Sequence, residues 1–155
     1  MTDAERRVAE LIRQAFRGVK LGGGVGLLQA QGLDDYSDAE TLAKYRSQDE
    51  KEDWSRLSFE ELNSCESSIM FFDAEGMQFH LPAYLLADLE GTLNQSVLFQ
   101  LCYHGNDTES RFALFNEGQR SVVREFLLLR LADPDCQFEH PMIENALEAY
   151  WNALS

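Results

Sequence analysis

Asp73, Glu75 and His80 fall within one short stretch of the chain, and a carboxylate beside a histidine is the raw material of acid–base chemistry. The stretch runs from Ser67 to Leu86 and reads as a strand, a tight turn, a second strand and the start of a helix. Ile69, Met70, Phe71 and Phe72 are strand formers. Asp73-Ala-Glu-Gly76 then places Asp first and Gly fourth, as a type I turn prefers. Met77, Phe79 and Leu81 alternate with Gln78 and His80, the period of a strand with one apolar face. Pro82 suits a first helical turn, and Tyr84, Leu85 and Leu89 give the following helix a stripe that Gly91 can end. In such a hairpin Asp73 is wanted for local hydrogen bonding and His80 stands some way down the return strand. The three residues therefore have an architectural reading beside the catalytic one.

Other constellations are weaker. A metal site would have to combine His80, His104 and His140 with Cys65, Cys102 or Cys136, and only Cys102 and His104 are close in sequence. Zinc sites usually carry two paired spacings, so no metal is expected. Gly22-Gly-Gly-Val-Gly26 has neither the G-K-[ST] ending of a phosphate loop nor G-x-G-x-x-G spacing, and reads as a flexible turn. The acid clusters Asp34, Asp35, Asp38 and Asp49, Glu50, Glu52, Asp53 lack the order of an EF-hand loop and read as solvated charge. No cofactor is implied.

Charge narrows the partners. The 155 residues carry a net charge of −14, which disfavours nucleic acid and anionic membrane and favours basic proteins. Between Arg56 and Arg111 there is no Lys or Arg but there are nine acids. Residues 1–20 are the exception at +2, with Arg6, Arg7, Arg13, Arg17 and Lys20. Three widely spaced cysteines suggest a reducing compartment. Arg6 and Arg7 lead into Val8-Ala-Glu10 rather than an apolar leader, and no apolar run reaches the length of a membrane span. A cytoplasmic protein is the expectation.

The elements that must position these residues are marked by their boundaries. Thr2-Asp-Ala-Glu5, Ser37-Asp-Ala-Glu40 and Ser58-Phe-Glu-Glu61 are helix-capping patterns. Val8, Leu11, Ile12, Ala15 and Phe16 recur at helical spacing after the first. Asn116 caps a helix to about Leu131, stopped by Asp133-Pro134, and a last helix from Pro141 carries Ile143, Ala146, Leu147, Tyr150, Trp151 and Leu154. With 45% hydrophobic residues the chain can bury a core as one domain, residues 1–155. The resulting expectation is α+β: a small antiparallel sheet of strands at about 67–73, 76–81, 96–103 and 111–115, packed with N-terminal and C-terminal helices.

Leu21-Gly-x-Gly-Val-Gly-Leu27, Asp34-Asp-Tyr36, Phe71-Phe-Asp-Ala-Glu-Gly-Met-x-Phe-His-Leu-Pro-Ala-Tyr84 and Gln119-Arg-x-x-Val-x-x-Phe-Leu127 resemble a family of small acidic bacterial proteins of unknown function. The resemblance spans most of the chain and implies a stand-alone bacterial domain; it brings no catalytic residues. The functional expectation is a non-enzymatic interaction protein, immunity- or inhibitor-like. Its acidic face, contributed by residues 34–53 and 60–90 with Asp34, Asp35, Asp38, Asp49, Glu50, Glu52, Asp53 and Glu75 as named members, would meet a basic partner. The alternative is a small enzyme or ligand-binding protein using Asp73, Glu75 and His80. A third reading is a subunit that self-associates through its C-terminal helix.

Overall fold

The capping signals govern more of the chain than the strand signals do. The computed structural model describes residues 1–103 and 108–152. It forms one all-helical domain: α1 (Asp3–Ala15), α2 (Leu27–Asp34), α3 (Ala39–Gln48), α4 (Phe59–Ser64), α5 (Ser68–Phe71), α6 (Ala74–Leu89), α7 (Val97–Cys102), α8 (Thr108–Arg111), α9 (Glu117–Leu131) and α10 (His140–Ala146). Single 3-10 turns lie at Trp54–Arg56 and Pro134–Cys136, and α10 runs on into a π-helical turn, Leu147–Trp151. Leu154, assigned to the stripe of the last helix, lies outside the described residues.

The α+β expectation is overturned: among the described residues there is no strand. The segment expected as a strand at 67–73 holds the short α5, and the one expected at 76–81 is the interior of α6. Asp73 is not the first residue of a hairpin turn but the N-cap of α6, its carboxylate accepting the Gly76 N–H at 2.8 Å. A type I turn and the first turn of a helix share backbone angles, so Asp-x-x-Gly suits both. A turn would bond Gly76 through the Asp73 carbonyl, whereas here the carboxylate takes the Gly76 N–H and the carbonyl that of Met77. The alternation of Met77, Phe79 and Leu81 misleads because α6 is buried nearly all round. From Gly76 to Leu85 every residue except the half-buried Gln78 is buried, so no exposed face prints a period of 3.6. Pro82 sits in the middle of this helix instead of at its start, where it leaves the Gln78 carbonyl without a helical donor.

The segment 96–103 is likewise α7, burying Val97, Leu98, Leu101 and Cys102 while Phe99 and Tyr103 stack outside. Residues 111–115 are the end of α8 and a turn, with Phe112 and Phe115 packed edge to face at 5.3 Å in the core.

Helix α6 is the axis of the domain. Helix α1 packs on it and on α9, burying Val8, Ile12 and Phe16. Helix α2 lies against α3 and α5, and α10 against α7 and α9. Each tryptophan closes a seam through its indole N–H, Trp54 to the Phe16 carbonyl at 2.8 Å and Trp151 to the Leu101 carbonyl at 2.9 Å. Buried Arg130 of α9 joins three elements, pairing with Asp88 of α6 at 3.0 Å, Glu5 of α1 at 3.1 Å and Asp133 at 3.5 Å. Burial holds the Asp88 carboxyl above its ordinary pKa against the pull of this guanidinium.

Candidate functional site

Three places could carry function: the start of α6, the acidic surface, and a groove along the end of α6.

The start of α6 is bound to the glycine-rich loop. Asp73 accepts a second N–H, that of Val25, at 3.0 Å, so one carboxylate oxygen fastens the loop and caps the helix together. The two backbones touch. A Cβ on Gly24 would lie 2.7 Å from the Glu75 Cβ and 2.9 Å from the Gly76 nitrogen, and one on Gly76 would lie 2.7 Å from the Val25 carbonyl. Only glycine permits this seam. The loop also leads into a helix N-terminus that already holds an anion, because the buried Asp49 carboxylate accepts the Leu28 and Gln29 N–H groups at 2.7 and 3.2 Å. Burial raises the Asp49 pKa despite those two bonds.

His80 lies two turns along α6 and is wholly buried. Its Nδ1 is 2.6 Å from the Gly76 carbonyl, which can only accept, so the proton is assigned to Nδ1. The ring stacks on Phe72 at 4.1 Å. Its Nε2 and the hydroxyl of Tyr84, one turn further on, are both buried with no hydrogen-bond partner among the described residues. Burial depresses the His80 pKa to about 4, opposed by the Gly76 carbonyl and the Asp73 charge, and burial raises that of the Tyr84 phenol. The neighbouring Cys65 thiol is also buried, and burial pushes its pKa up. These groups are held neutral. Glu75 stands apart from them, exposed over Gly22 and Gly23. The structure thus uses Asp73 as a cap, buries His80 and leaves Glu75 on the surface; none of the three lines the groove described below.

Many of the acids expected on a partner-binding face have internal tasks. Asp38 caps α3 and Asp53 caps the turn at Trp54, and their hydrogen bonds to Thr41 and Ser55 hold both carboxyls below the ordinary range. Glu50 accepts the Glu52 and Asp53 N–H groups, the first of which chiefly lowers its pKa. Glu52 pairs with Lys20 at 2.6 Å and Asp35 accepts from Gln31. Asp34 is half-buried at the end of α2. No group of three or more His, Cys, Asp or Glu side chains among the described residues is placed to hold a metal ion, and His104 lies outside those residues.

Sequence reasoning missed the third place. A groove of about 620 Å³ runs between the end of α1, the segment from Glu52 to Leu62, and the second half of α6. From α6 come Ala83, Leu86, Ala87 and Glu90, spaced as one helical stripe. Trp54 and Leu57 line it opposite, with Phe59 at 40% exposure. Arg13 and Arg17 stand on the α1 lip, and Glu52 and Asp53 on the other. The stripe was visible in sequence once α6 was known to run through Pro82.

The profile of a family described as being of unknown function, DUF6714, matches residues 4–155. The chain belongs to the DUF6714 family. The resemblance read from the glycine-rich and Phe71–Tyr84 phrases is thereby upheld at the level of a family of unknown function. Neither the curated proteins nor the solved structures gave a match for this DUF6714 chain. No helix among the described residues is long and apolar enough to cross a membrane.

Proposed function

We propose that this protein is a non-enzymatic interaction domain that recognises a basic protein partner through its acidic surface, as immunity proteins and inhibitors do. One observation carries the reading. Glu60, Glu61, Glu66, Asp73, Glu75 and Glu90 are exposed, and among the described residues none of them takes part in an ion pair. Asp88 is the one acid between Arg56 and Tyr103 that does. The segment has no Lys or Arg of its own to neutralise this charge, so it is left for counterions or a partner.

Within the expected face the weight falls on α4 and the two ends of α6, with Glu75 retained, because in the segment 34–53 Glu50, Glu52 and Asp53 meet Arg56 or Lys20 and Asp49 is buried. Burial of His80 and the engagement of Asp73 with two backbone N–H groups weigh against acid–base use of Asp73, Glu75 and His80. The test is capture of the natural partner on the immobilised full chain, followed by affinity measurements from low to physiological ionic strength. Affinity and association rate should fall together as salt rises. A partner whose binding ignores salt would refute the proposal.

A further inference from the structure

We infer that the groove along the second half of α6 is the seat for an amphipathic, cationic helix presented by a protein partner. This rests on the reading of the domain as an acidic interaction module and adds where and in what form the partner is held.

The shape favours a helix. The stripe Ala83, Leu86, Ala87 and Glu90 is about 10 Å long, two turns, and its two alanines let a second helix approach closely. The floor is apolar and preformed: Trp54 is fixed by its bond to the Phe16 carbonyl, and Leu57 and Leu86 are half-buried beside it. No strand is present among the described residues to accept an extended peptide by edge pairing. A two-turn helical stripe of small and apolar residues along one wall suits helix-in-groove docking.

The charges select what the helix carries. Exposed Glu90 ends the stripe, and among the described residues it has no ion pair. Asp53 and Glu52 also line the groove, but they are held by Arg56 at 3.8 Å and Lys20 at 2.6 Å. A helix bearing Lys or Arg would complement Glu90 and, beside Phe59, the exposed Glu60 and Glu61 of α4, which likewise have no ion pair among the described residues. On the α1 lip, Arg17 has no ion pair among the described residues, and Arg13 reaches only Glu10 at 3.8 Å. A carboxylate on the partner helix suits that side. Two signs along one apolar seat favour a protein segment over a lipid.

The probe is a synthetic peptide helix about five turns long, with leucines at i, i+3, i+4 and i+7 spacing and lysines elsewhere. It is compared with a shuffled peptide of the same composition and with a version carrying Gln in place of Lys. Binding to the full chain is followed by amide shifts and Trp54 fluorescence, with circular dichroism verifying that each variant is folded. The Leu/Lys helix should bind, with shifts centred on Phe59, Leu86, Ala87 and Glu90. Phe59→Ser and Leu86→Asp should each weaken it more than about tenfold, and Glu90→Lys about threefold. Equal binding by the shuffled peptide, or groove variants that bind like the parent, would overturn the groove. If salt sensitivity persists in that case, the acidic-partner reading survives without it. Salt-insensitive binding of the Gln version, as tight as that of the Lys version, would instead overturn the cationic occupant and the acidic reading together. Absence of binding by either helix, or displacement of the Leu/Lys helix by decanoate, also overturns the assignment.

Discussion

The two halves of α6 are built on opposite principles. Before Pro82 the helix is closed in on itself and its neighbours: Asp73 joins it to the glycine loop, Gly76 touches the loop's backbone, and His80 is buried against Phe72. After Pro82 the same helix turns a stripe of small and apolar residues, ending in Glu90, toward an open groove. The first half spends its special residues on internal contacts. The second keeps one such internal contact, Asp88 with Arg130, but lines the groove with the half-buried Leu86, the largely covered Ala83 and Ala87, and the exposed Glu90 carboxylate. One helix can therefore anchor the domain at one end and face a partner at the other, and a motif dense in distinctive residues need not be the site.

The comparison breaks most readily through acid. His80 is held neutral with a pKa near 4, whereas an unfolded histidine titrates near 6.5. The depressed native value means that its contribution is intact above pH 6.5 and is lost as pH falls from there to about 4. The loss should reach about 3 kcal/mol. Urea titrations of the parent and of His80→Phe across that window should show the parent losing the excess. Parallel curves would mean that His80 is not the constraint described. The difference between the two proteins is the quantity to read, since Asp49 and Asp88, raised by burial, act with the opposite sign.

Next comes the glycine seam. Gly76→Ala and Gly24→Ala should each cost about 2 kcal/mol, because the closest atoms met, the Val25 carbonyl oxygen and the Glu75 Cβ and Gly76 nitrogen, are fixed by the backbone and cannot rotate away. The double variant should cost less than the sum if both open one seam. Across the groove from the outer half of α6, Phe59→Ser in α4 should shift stability by about 0.5 kcal/mol or less, its ring being 40% exposed, while weakening the binding predicted for the groove. Smallest of all, Glu75→Gln should change stability by a few tenths of a kcal/mol, the loss of one acid from the first turn of a helix. A cost for Phe59→Ser matching that of the glycine variants would erase the contrast between the halves.

Helix boundaries were legible wherever a side chain announces them. The Thr2–Glu5 and Ser58–Glu61 boxes, the Asn116 cap and Gly91 beyond α6 all stand where the residues place them. In the second capping pattern the cap is Asp38, one residue later than Ser37-Asp-Ala-Glu40 implied. The interior of α7 was not legible because its one exposed residue, Phe99, is apolar, nor was that of α6 before Pro82. A run buried on every side presents no polar face, so Met77, Phe79 and Leu81 fit a strand and a helix equally well. The Asp73 signal was real but ambiguous in the backbone geometry itself. Glu75 was legible as surface charge, whereas His80 was hidden by the same misreading of period. The groove could not be seen because its walls come from residues 13–19, 52–62 and 83–90, which only folding assembles.

The Arg130 hub bears on how the molecule is made. Glu5 is made well before its guanidinium partner, which follows 125 positions later. Gln119 of α9 donates to the Ala15 carbonyl at the end of α1 across a separation of 104. Val8, Ile12 and Phe16 thus lack part of their cover for most of synthesis, whereas the local unit of α2 and α3, latched by Asp49 across 21 positions, can close early. Nascent chains stalled before α9 should offer the α1 face to chaperones and proteases, and that exposure should end when Arg130 emerges.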